Sequence, residues 1–235
     1  SEQRRYATMC GRFTLTELEP DVLTEIFTLE GDVPALSPRY NIAPTQPVAT
    51  VIRDAKSNTN RLEIMRWGLV PSWAKDIKMG SRMINARGET VHEKPSFRSA
   101  FKRRRCLVVA DGFYEWQKLS DGSKQPLYIT LKDDGPFAFA GLWEFWTDRD
   151  SGSELITCTI ITTTPNDFMS TIHNRMPVIL PRAEYDRWLD PDQEDPAALL
   201  PLLRPYPDDM MTAWPVSKRV NSPSNDDEGL LEQAS

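Results

Sequence analysis

The chain contains 235 residues, 40% of them hydrophobic, which is enough for one core, so we expect a single domain. Its formal net charge of −6 argues against strong non-specific attraction to nucleic acid, although it leaves room for a local basic groove. Neither an apolar run of membrane-spanning length nor a signal peptide is recognisable, which predicts a cytoplasmic protein without a membrane partner.

Residues 1–8 precede Met9 and show no periodicity, so we interpret them as an N-terminal extension, a cloning remnant or a misassigned start. If translation begins at Met9 and this methionine is removed, Cys10 carries a thiol and a free α-amine on adjacent carbons. Such a 1,2-aminothiol traps aldehydes, because the amine forms an imine and the thiol then closes a thiazolidine ring. The alternative interpretation of Cys10 is a small buried core residue.

The three cysteines form an odd number and lack CxxC spacing. This pattern supports neither a disulfide framework nor a metal site. Cys106 and Cys158 lie in apolar runs typical of strands, so both are predicted to be core residues.

A helix is the first element that the sequence predicts. Thr16 and Glu19 have the spacing of a capping box, and apolar residues follow at helical period, which predicts a helix over about 17–29 that Gly31 ends. Many short strands and few long helices follow, and such a pattern requires non-local pairing. The predicted strands span 47–52, 61–67, 106–110, 126–131, 137–143 and 155–162, and the predicted helices span 95–104, 182–189 and 196–203.

Charge is distributed unevenly along the chain, with acidic residues concentrated towards the C-terminal end. The basic cluster in the middle comprises Arg82, Arg87, Lys94, Arg98 and Lys102 to Arg105. This asymmetry predicts a basic groove on an acidic body, although a solvated helix face explains the run Lys102 to Arg105 equally well. The last part of the acidic, proline-rich C-terminal segment, residues 223–235, is expected to be mobile.

Two stretches offer groups for proton transfer. Glu115 lies between Tyr114 and Trp116, and desolvation by these rings would raise its carboxyl pKa towards neutrality, which suits proton shuttling. An exposed strand glutamate is the alternative interpretation. His173 ends a predicted helix among polar neighbours and is a better catalytic candidate than His92, although a lone histidine is more often structural.

An aromatic and glycine-proline loop follows the second predicted strand and contains Trp67 and Trp73. Two tryptophans there can cover the core or can stack on the bases of single-stranded nucleic acid. Taken alone, the pair favours a role in covering the core.

Seven motifs in the order of the chain resemble one family, the SOS response-associated peptidases, which include proteins that crosslink themselves to abasic sites in single-stranded DNA. The resemblance covers about 9 to 231, and we assign 9–222 to the catalytic domain. The motifs are Met9 to Phe13, Tyr40 to Pro44, Trp67 to Pro71, Ile84 to Thr90, Asp111 to Trp116, His173 to Pro177 and Pro215 to Ser217.

The resemblance implies an α+β domain in which a central, barrel-like antiparallel sheet is flanked by short helices. It implies that Cys10 bonds covalently to the ring-opened aldehyde of an abasic deoxyribose and so protects damaged DNA, with abasic-site lyase and self-cleaving peptidase activities as further possibilities. Asn85 would orient Cys10, Glu115 would be the general acid and base, and His173 would assist ring opening.

By the same resemblance, single-stranded DNA containing an abasic site is the partner. Arg12, Arg87 and Arg175 would hold flanking phosphates, while Trp73 and Pro44 would stack on bases or wedge them apart. We expect no cofactor and no metal. We expect a monomer, associated with the nucleoid if the protein is bacterial.

Two other functions remain open from the sequence. A cysteine peptidase with Cys10 as nucleophile and His173 as base would cut its own N-terminal extension, although no oxyanion hole is recognisable. A non-catalytic module that binds single-stranded DNA would use Cys10 only structurally.

Overall fold

The computed structural model describes residues 10–133 and 135–235, so the predicted extension at 1–8 lies outside the described residues. The strands are β1 (Phe13–Leu15), β2 (Arg39–Ile42), β3 (Pro47–Asp54), β4 (Thr59–Trp67), β5 (Asn85–Arg87), β6 (Arg105–Ala110), β7 (Gly112–Lys118), β8 (Lys124–Leu131), β9 (Phe137–Thr147), β10 (Glu154–Thr163), β11 (Met176–Pro177), β12 (Ile179–Leu180) and β13 (Met211–Pro215). The helices are α1 (Pro20–Phe27), α2 (Arg98–Arg103), α3 (Asp167–Ser170), α4 (Tyr185–Leu189) and α5 (Pro196–Leu199).

A closed five-stranded barrel forms the centre of the fold. Antiparallel pairing runs from β4 through β3, β6 and β9 to β10, and β10 returns to β4 in a parallel pairing that places Cys158 opposite Trp67. Closure leaves these strands without an open edge along the paired segments. The predicted α+β domain with a barrel-like sheet and short helices is confirmed, with one of the five barrel pairings parallel.

A second antiparallel sheet, in the order β13-β8-β7-β1-β2, packs against the barrel. Its contact with the barrel is aromatic: Phe139 of β9 lies edge-on to Phe13 and to Phe113, with ring centroids 5.8 and 5.9 Å apart. All three rings are buried. Because edge-to-face contacts tolerate little displacement, they fix β1 and β7 on the barrel.

The first helix is shorter than the sequence predicts. The backbone N–H and hydroxyl of Thr16 both donate to Asp111, at 2.6 and 2.7 Å, so Thr16 is not available as a helix cap. Helix α1 instead begins at Pro20, a residue suited to the first turn, and Thr28 in the left-handed conformation (φ 52°) follows it. The predicted capping box and the end at Gly31 are therefore wrong.

The predicted core cysteines and part of the basic run are both buried. Cys106 and Cys158 are fully buried. Arg105, at the end of the run, is 5% exposed, and every hydrogen bond that its guanidinium forms within the described residues goes to a backbone carbonyl. The acceptors belong to Phe101, Lys102, Trp188, Asp190 and Gln193. Arg105 is therefore a structural residue rather than part of a groove.

The C-terminal segment, for which the sequence predicts mobility, packs along the second sheet. Leu230 is fully buried, and the indole N–H of Trp214 donates to the carbonyl of Leu231 at 2.8 Å. The carboxylate of Asp226 accepts the backbone N–H of Tyr40 at 2.6 Å. Two adjacent leucines thus anchor a stretch whose overall composition is acidic.

None of the helices at 10–133 and 135–235 is long and apolar enough to span a membrane.

Candidate functional site

Pairing of β1 with β7 places Cys10 against the barrel. Phe13 lies opposite Phe113, and the N–H of Tyr114 donates to the carbonyl of Arg12 at 3.0 Å. Cys10, just before β1, is 1% exposed. The residues that follow Cys10 therefore hold it in a fixed place beside β7.

The other end of β1 is held by Asp111, a residue for which the sequence analysis assigned no role. Its carboxylate accepts the hydroxyl of Thr14 at 2.6 Å, in addition to both donors of Thr16. The adjacent Gly112 is required, because a Cβ there would lie 2.1 Å from the hydroxyl of Tyr128, which also bonds to Thr14 at 2.8 Å. Their place in a recognisable motif was the only sequence signal for these residues.

Asn85 approaches Cys10 from the barrel side. It begins β5, which pairs in parallel with β10 and sets Asn85 opposite Ile160. Its side-chain amide lies 3.4 Å from the carbonyl of Cys10 and 3.4 Å from that of Ile160. Its Oδ1 atom is buried and has no hydrogen-bond partner among the described residues, which leaves an unused acceptor beside Cys10.

Glu115 is buried, at 3% exposed, and its Oε1 atom likewise has no partner in the described part of the chain. Burial raises the pKa of its carboxyl to about 8, against the smaller opposing effects of the Trp116 backbone N–H and of Lys124. At pH 7 about nine in ten of these carboxyl groups are therefore protonated. Such a group can donate a proton and later take one back.

The predicted source of this desolvation is wrong. Adjacent side chains of a strand point to opposite faces, so the rings next to Glu115 line the other side of β7. Tyr114 packs on Tyr128 with ring centroids 5.1 Å apart, and Trp116 lies 5.8 Å from the guanidinium of Arg12. The site facing Cys10, rather than the sequence neighbours, therefore keeps water from Glu115.

Burial, and secondarily the charge of Glu115, raises the pKa of the Cys10 thiol well above its ordinary value. The pairing of β1 with β7 brings the backbone before Phe13 alongside the backbone after Phe113, so Cys10 lies next to the part of β7 that carries Glu115. The thiol is neutral near pH 7, because its low-polarity surroundings oppose ionisation. Within the described ranges, no hydrogen bond joins Cys10 to His173.

His173 lies in the loop after α3 and is half-buried. The backbone N–H of Arg175 donates to its Nδ1 at 3.1 Å, which in the neutral ring leaves the proton on Nε2. Burial lowers the pKa of His173, the Arg175 carbonyl oxygen 3.3 Å from Nδ1 opposes this effect by favouring a protonated Nδ1, and the charge of Lys124 lowers the pKa further. Lys124 also lowers the pKa of Glu115, so its charge acts on both groups.

The residues predicted to bind DNA divide into two groups. Trp73 is 51% exposed and Arg87 is exposed, whereas Pro44 is half-buried in a turn. Arg12 donates to the Asn41 side chain at 3.0 Å, and also to the carbonyls of Val220 and Asn221 at 2.6 and 3.1 Å.

Arg175 belongs with Arg12 in the second group. It is 6% exposed and makes a two-pronged contact with Glu89. Trp73 and Arg87 are therefore accessible to a ligand, while the guanidinium groups of Arg12 and Arg175 are occupied within the protein.

These features define a barrel domain in which a buried thiol, an amide and a carboxyl of raised pKa lie at the junction of the two sheets. The chain belongs to the SOS response associated peptidase (SRAP) family, whose model matches residues 9–223. It is 50% identical to the abasic site processing protein YoqW of Bacillus subtilis, over 95% of this chain and 99% of that protein.

More distant relatives have the same domain. The chain is 34% identical to the abasic site processing protein HMCES of Xenopus tropicalis, over 92% of this chain and 76% of that protein. A crystal structure of a protein from Bacteroides thetaiotaomicron superposes with a TM-score of 0.85 at 28% identity, covering 96% of this chain and 100% of that one. The similarity thus extends over nearly the whole chain.

Proposed function

We propose that this protein processes abasic sites in single-stranded DNA by forming a covalent crosslink through Cys10, once Met9 has been removed. The observation that carries the proposal is the buried, protonated Glu115 beside Cys10, in a chain that is 50% identical to an abasic site processing protein. An abasic deoxyribose supplies the aldehyde, and the α-amine and thiol of Cys10 supply the two nucleophiles. All the proposed catalytic side chains come from one chain, so a monomer suffices.

The reaction begins with the closed sugar. As the bond between C1′ and the ring oxygen breaks, the proton of the anomeric hydroxyl passes through water to the ring oxygen, and Nε2–H of His173 donates a hydrogen bond to that oxygen and thereby favours the open aldehyde. The α-amine of Cys10 then attacks C1′ and gives a carbinolamine. Asn85, whose amide contacts the Cys10 carbonyl and whose Oδ1 is unpartnered, accepts a hydrogen bond from this amine and orients it.

Glu115 then serves twice. It gives its proton to the carbinolamine hydroxyl, the C1′–O bond breaks, water leaves, and the nitrogen lone pair forms the protonated imine (iminium). The neutral Cys10 thiol adds to the imine carbon, and its proton passes to the Glu115 carboxylate, which is a strong base because burial raises its pKa to about 8. Glu115 ends the cycle protonated, and the net change is the loss of one water.

Two exposed groups support binding of the single strand. Trp73 can stack on a base, and Arg87, two residues after Asn85, can contact a phosphate without reading sequence. Since the net charge is −6, we expect affinity to be modest and to fall with salt, and the covalent bond to supply persistence.

The neutral thiol disfavours the peptidase alternative, because a cysteine nucleophile is normally activated as a thiolate by its base. The thiol of Cys10 has a raised pKa. In the part of the chain that the structure describes, it forms no hydrogen bond with His173. A binding module without catalytic chemistry would not explain why Asn85 and Glu115 each bury a side-chain oxygen that lacks a hydrogen-bond partner among the described residues.

Intact mass spectrometry tests the proposal. Protein expressed from Met9 is mixed with a single-stranded oligonucleotide that carries one abasic site, and we expect a species at the sum of the two masses minus one water. Protein that keeps residues 1–8 and an oligonucleotide without the abasic site are the controls, and neither should give this species. No adduct from protein with a verified Cys10 N-terminus would refute the crosslink.

A further inference from the structure

An ion pair between Glu89 and Arg175 joins two segments of the site. The guanidinium nitrogens lie 2.6 and 2.9 Å from the two carboxylate oxygens, and a third bond at 3.2 Å goes to the hydroxyl of Thr162. The side chain of Arg175 is 7% exposed and that of Glu89 is 43% exposed. Two-pronged arginine–carboxylate pairs have a fixed geometry, so this one sets the position of both segments.

The two segments are those that carry Asn85 and His173. Glu89 follows Asn85 by four residues, and Arg175 follows His173 by two. Thr162 lies on β10, where it pairs with both β5 and β11. The Glu89–Arg175 pair therefore connects the amide and the imidazole of the candidate site through side chains that take no part in the proposed chemistry.

The same arginine contacts the imidazole through its backbone. Its N–H donates to Nδ1 of His173 at 3.1 Å, while its carbonyl oxygen lies farther from the same nitrogen, at 3.3 Å. As long as the N–H is held in place, Nδ1 is an acceptor and Nε2 carries the proton. If the Arg175 backbone moves, its carbonyl can instead accept a hydrogen bond from a protonated Nδ1. The neutral ring is then in the other tautomer and has no proton on Nε2.

We propose that Glu89 is a positioning residue that, by clamping Arg175, holds neutral His173 in the tautomer with the proton on Nε2. The catalytic consequence rests on the proposed function, since Nε2–H is the group that assists opening of the sugar ring. The tautomer itself does not depend on DNA and can be measured in the protein alone. Glu89 thus acts on the reaction through two other residues rather than on the substrate.

Nuclear magnetic resonance of protein labelled with ¹⁵N-histidine reads the tautomer directly. The chain has only two histidines, His92 and His173, so the spectrum contains two imidazole systems. Their nitrogen shifts distinguish an acceptor Nδ1 from a protonated one. Measurement above the pKa of His173, which burial lowers, ensures that the ring is neutral.

The chain supplies a matched control. Glu93 lies 3.3 Å from Nε2 of His92, so Glu93→Ala removes a carboxylate from the other histidine. We expect Glu89→Ala to shift His173 to a mixture of tautomers and to slow crosslinking about tenfold. This is less than the roughly 10²–10⁴-fold effect of losing a general acid, because part of the population keeps the proton on Nε2. Glu93→Ala should alter only the His92 signals and leave the crosslinking rate unchanged.

Conservative variants cover the case in which Glu89→Ala does not fold. Glu89→Gln keeps one acceptor for the guanidinium and should retain most of the Nε2–H tautomer, whereas Arg175→Lys keeps the charge without the two-pronged contact and should lose it. A wild-type His173 spectrum in every folded Glu89 and Arg175 variant would overturn the positioning role. A tautomer that responds to Glu89 in a protein that forms no DNA adduct would uphold it and refute the proposed function.

Discussion

Replacing Glu115 by glutamine should affect stability and activity in opposite directions. As the pH rises, the variant should become more stable relative to the wild type, but it should form the crosslink more slowly. The carboxyl is 3% exposed and has a pKa of about 8, against an ordinary value of 4.5. Between these two values the unfolded chain loses the proton while the folded chain keeps it. Stability from the neutral carboxyl is therefore fully present below about 4.5 and is lost as the pH rises through 8.

The size of the effect follows from the same shift. Each pH unit well inside this window costs the folded state about 1.4 kcal/mol. Because titration is only partial near each pKa, the wild type should lose about 3.5 kcal/mol between pH 5 and pH 8 relative to a variant without the titrating group. Glu115→Gln supplies such a variant, because the amide is nearly isosteric and stays neutral. Relative to the wild type, the free energy of unfolding of Glu115→Gln should increase steadily from pH 5 to pH 8.

Urea unfolding at several pH values measures the stability, and the rate of adduct formation measures the activity. Glu115→Gln should slow crosslinking by about 10² or more, since it removes the proton donor. Glu154→Gln, at an exposed strand position, is the control and should follow the wild type in both assays. Parallel wild-type and Glu115→Gln stability profiles would refute the raised pKa, and an unchanged rate would remove Glu115 from the proton path.

Three other substitutions test separate parts of the structure. Trp73→Ala should weaken binding of single-stranded DNA, measured by fluorescence anisotropy, by about 1–3 kcal/mol without affecting stability, because the ring is 51% exposed; equal affinities would exclude stacking. Gly112→Ala should destabilise the fold by about 1–3 kcal/mol in thermal unfolding, because its Cβ would meet the hydroxyl of Tyr128, and an unchanged midpoint would contradict this packing. Arg105→Lys should cost about 3 kcal/mol or more in urea unfolding, whereas Arg103→Lys at an exposed position should cost little; similar losses would contradict the structural role of Arg105.

Much of the architecture and chemistry can be read from the sequence because the relevant signals are local. Alternating and continuous apolar runs predict the strands of the barrel, since side-chain direction along a strand has a period of two. The reactivity proposed for Cys10 can be recognised in the sequence because both of its nucleophiles would belong to one residue once Met9 is removed. The order of the seven motifs likewise requires no knowledge of contacts, and the family model matches the same region at 9–223.

Long-range pairing decided the rest. Asn85 and Cys10 are 75 residues apart, and only the pairing of β5 with β10 and of β1 with β7 brings them within 3.4 Å. The raised pKa of Glu115 arises from the face of β7 opposite its aromatic neighbours, which a linear sequence cannot indicate.

The same reason explains the misjudged segments. Arg175 is basic in the sequence, but Glu89 occupies its guanidinium in the fold. The segment at 223–235 is acidic on average, but Leu230 finds an apolar site on the second sheet. By itself the sequence determined which functional groups are available and which segments can form strands, because residue type sets the functional group and the order of apolar residues sets the strand pattern. Only the tertiary structure decided which of them are buried, paired or adjacent, because those properties depend on residues far away along the chain.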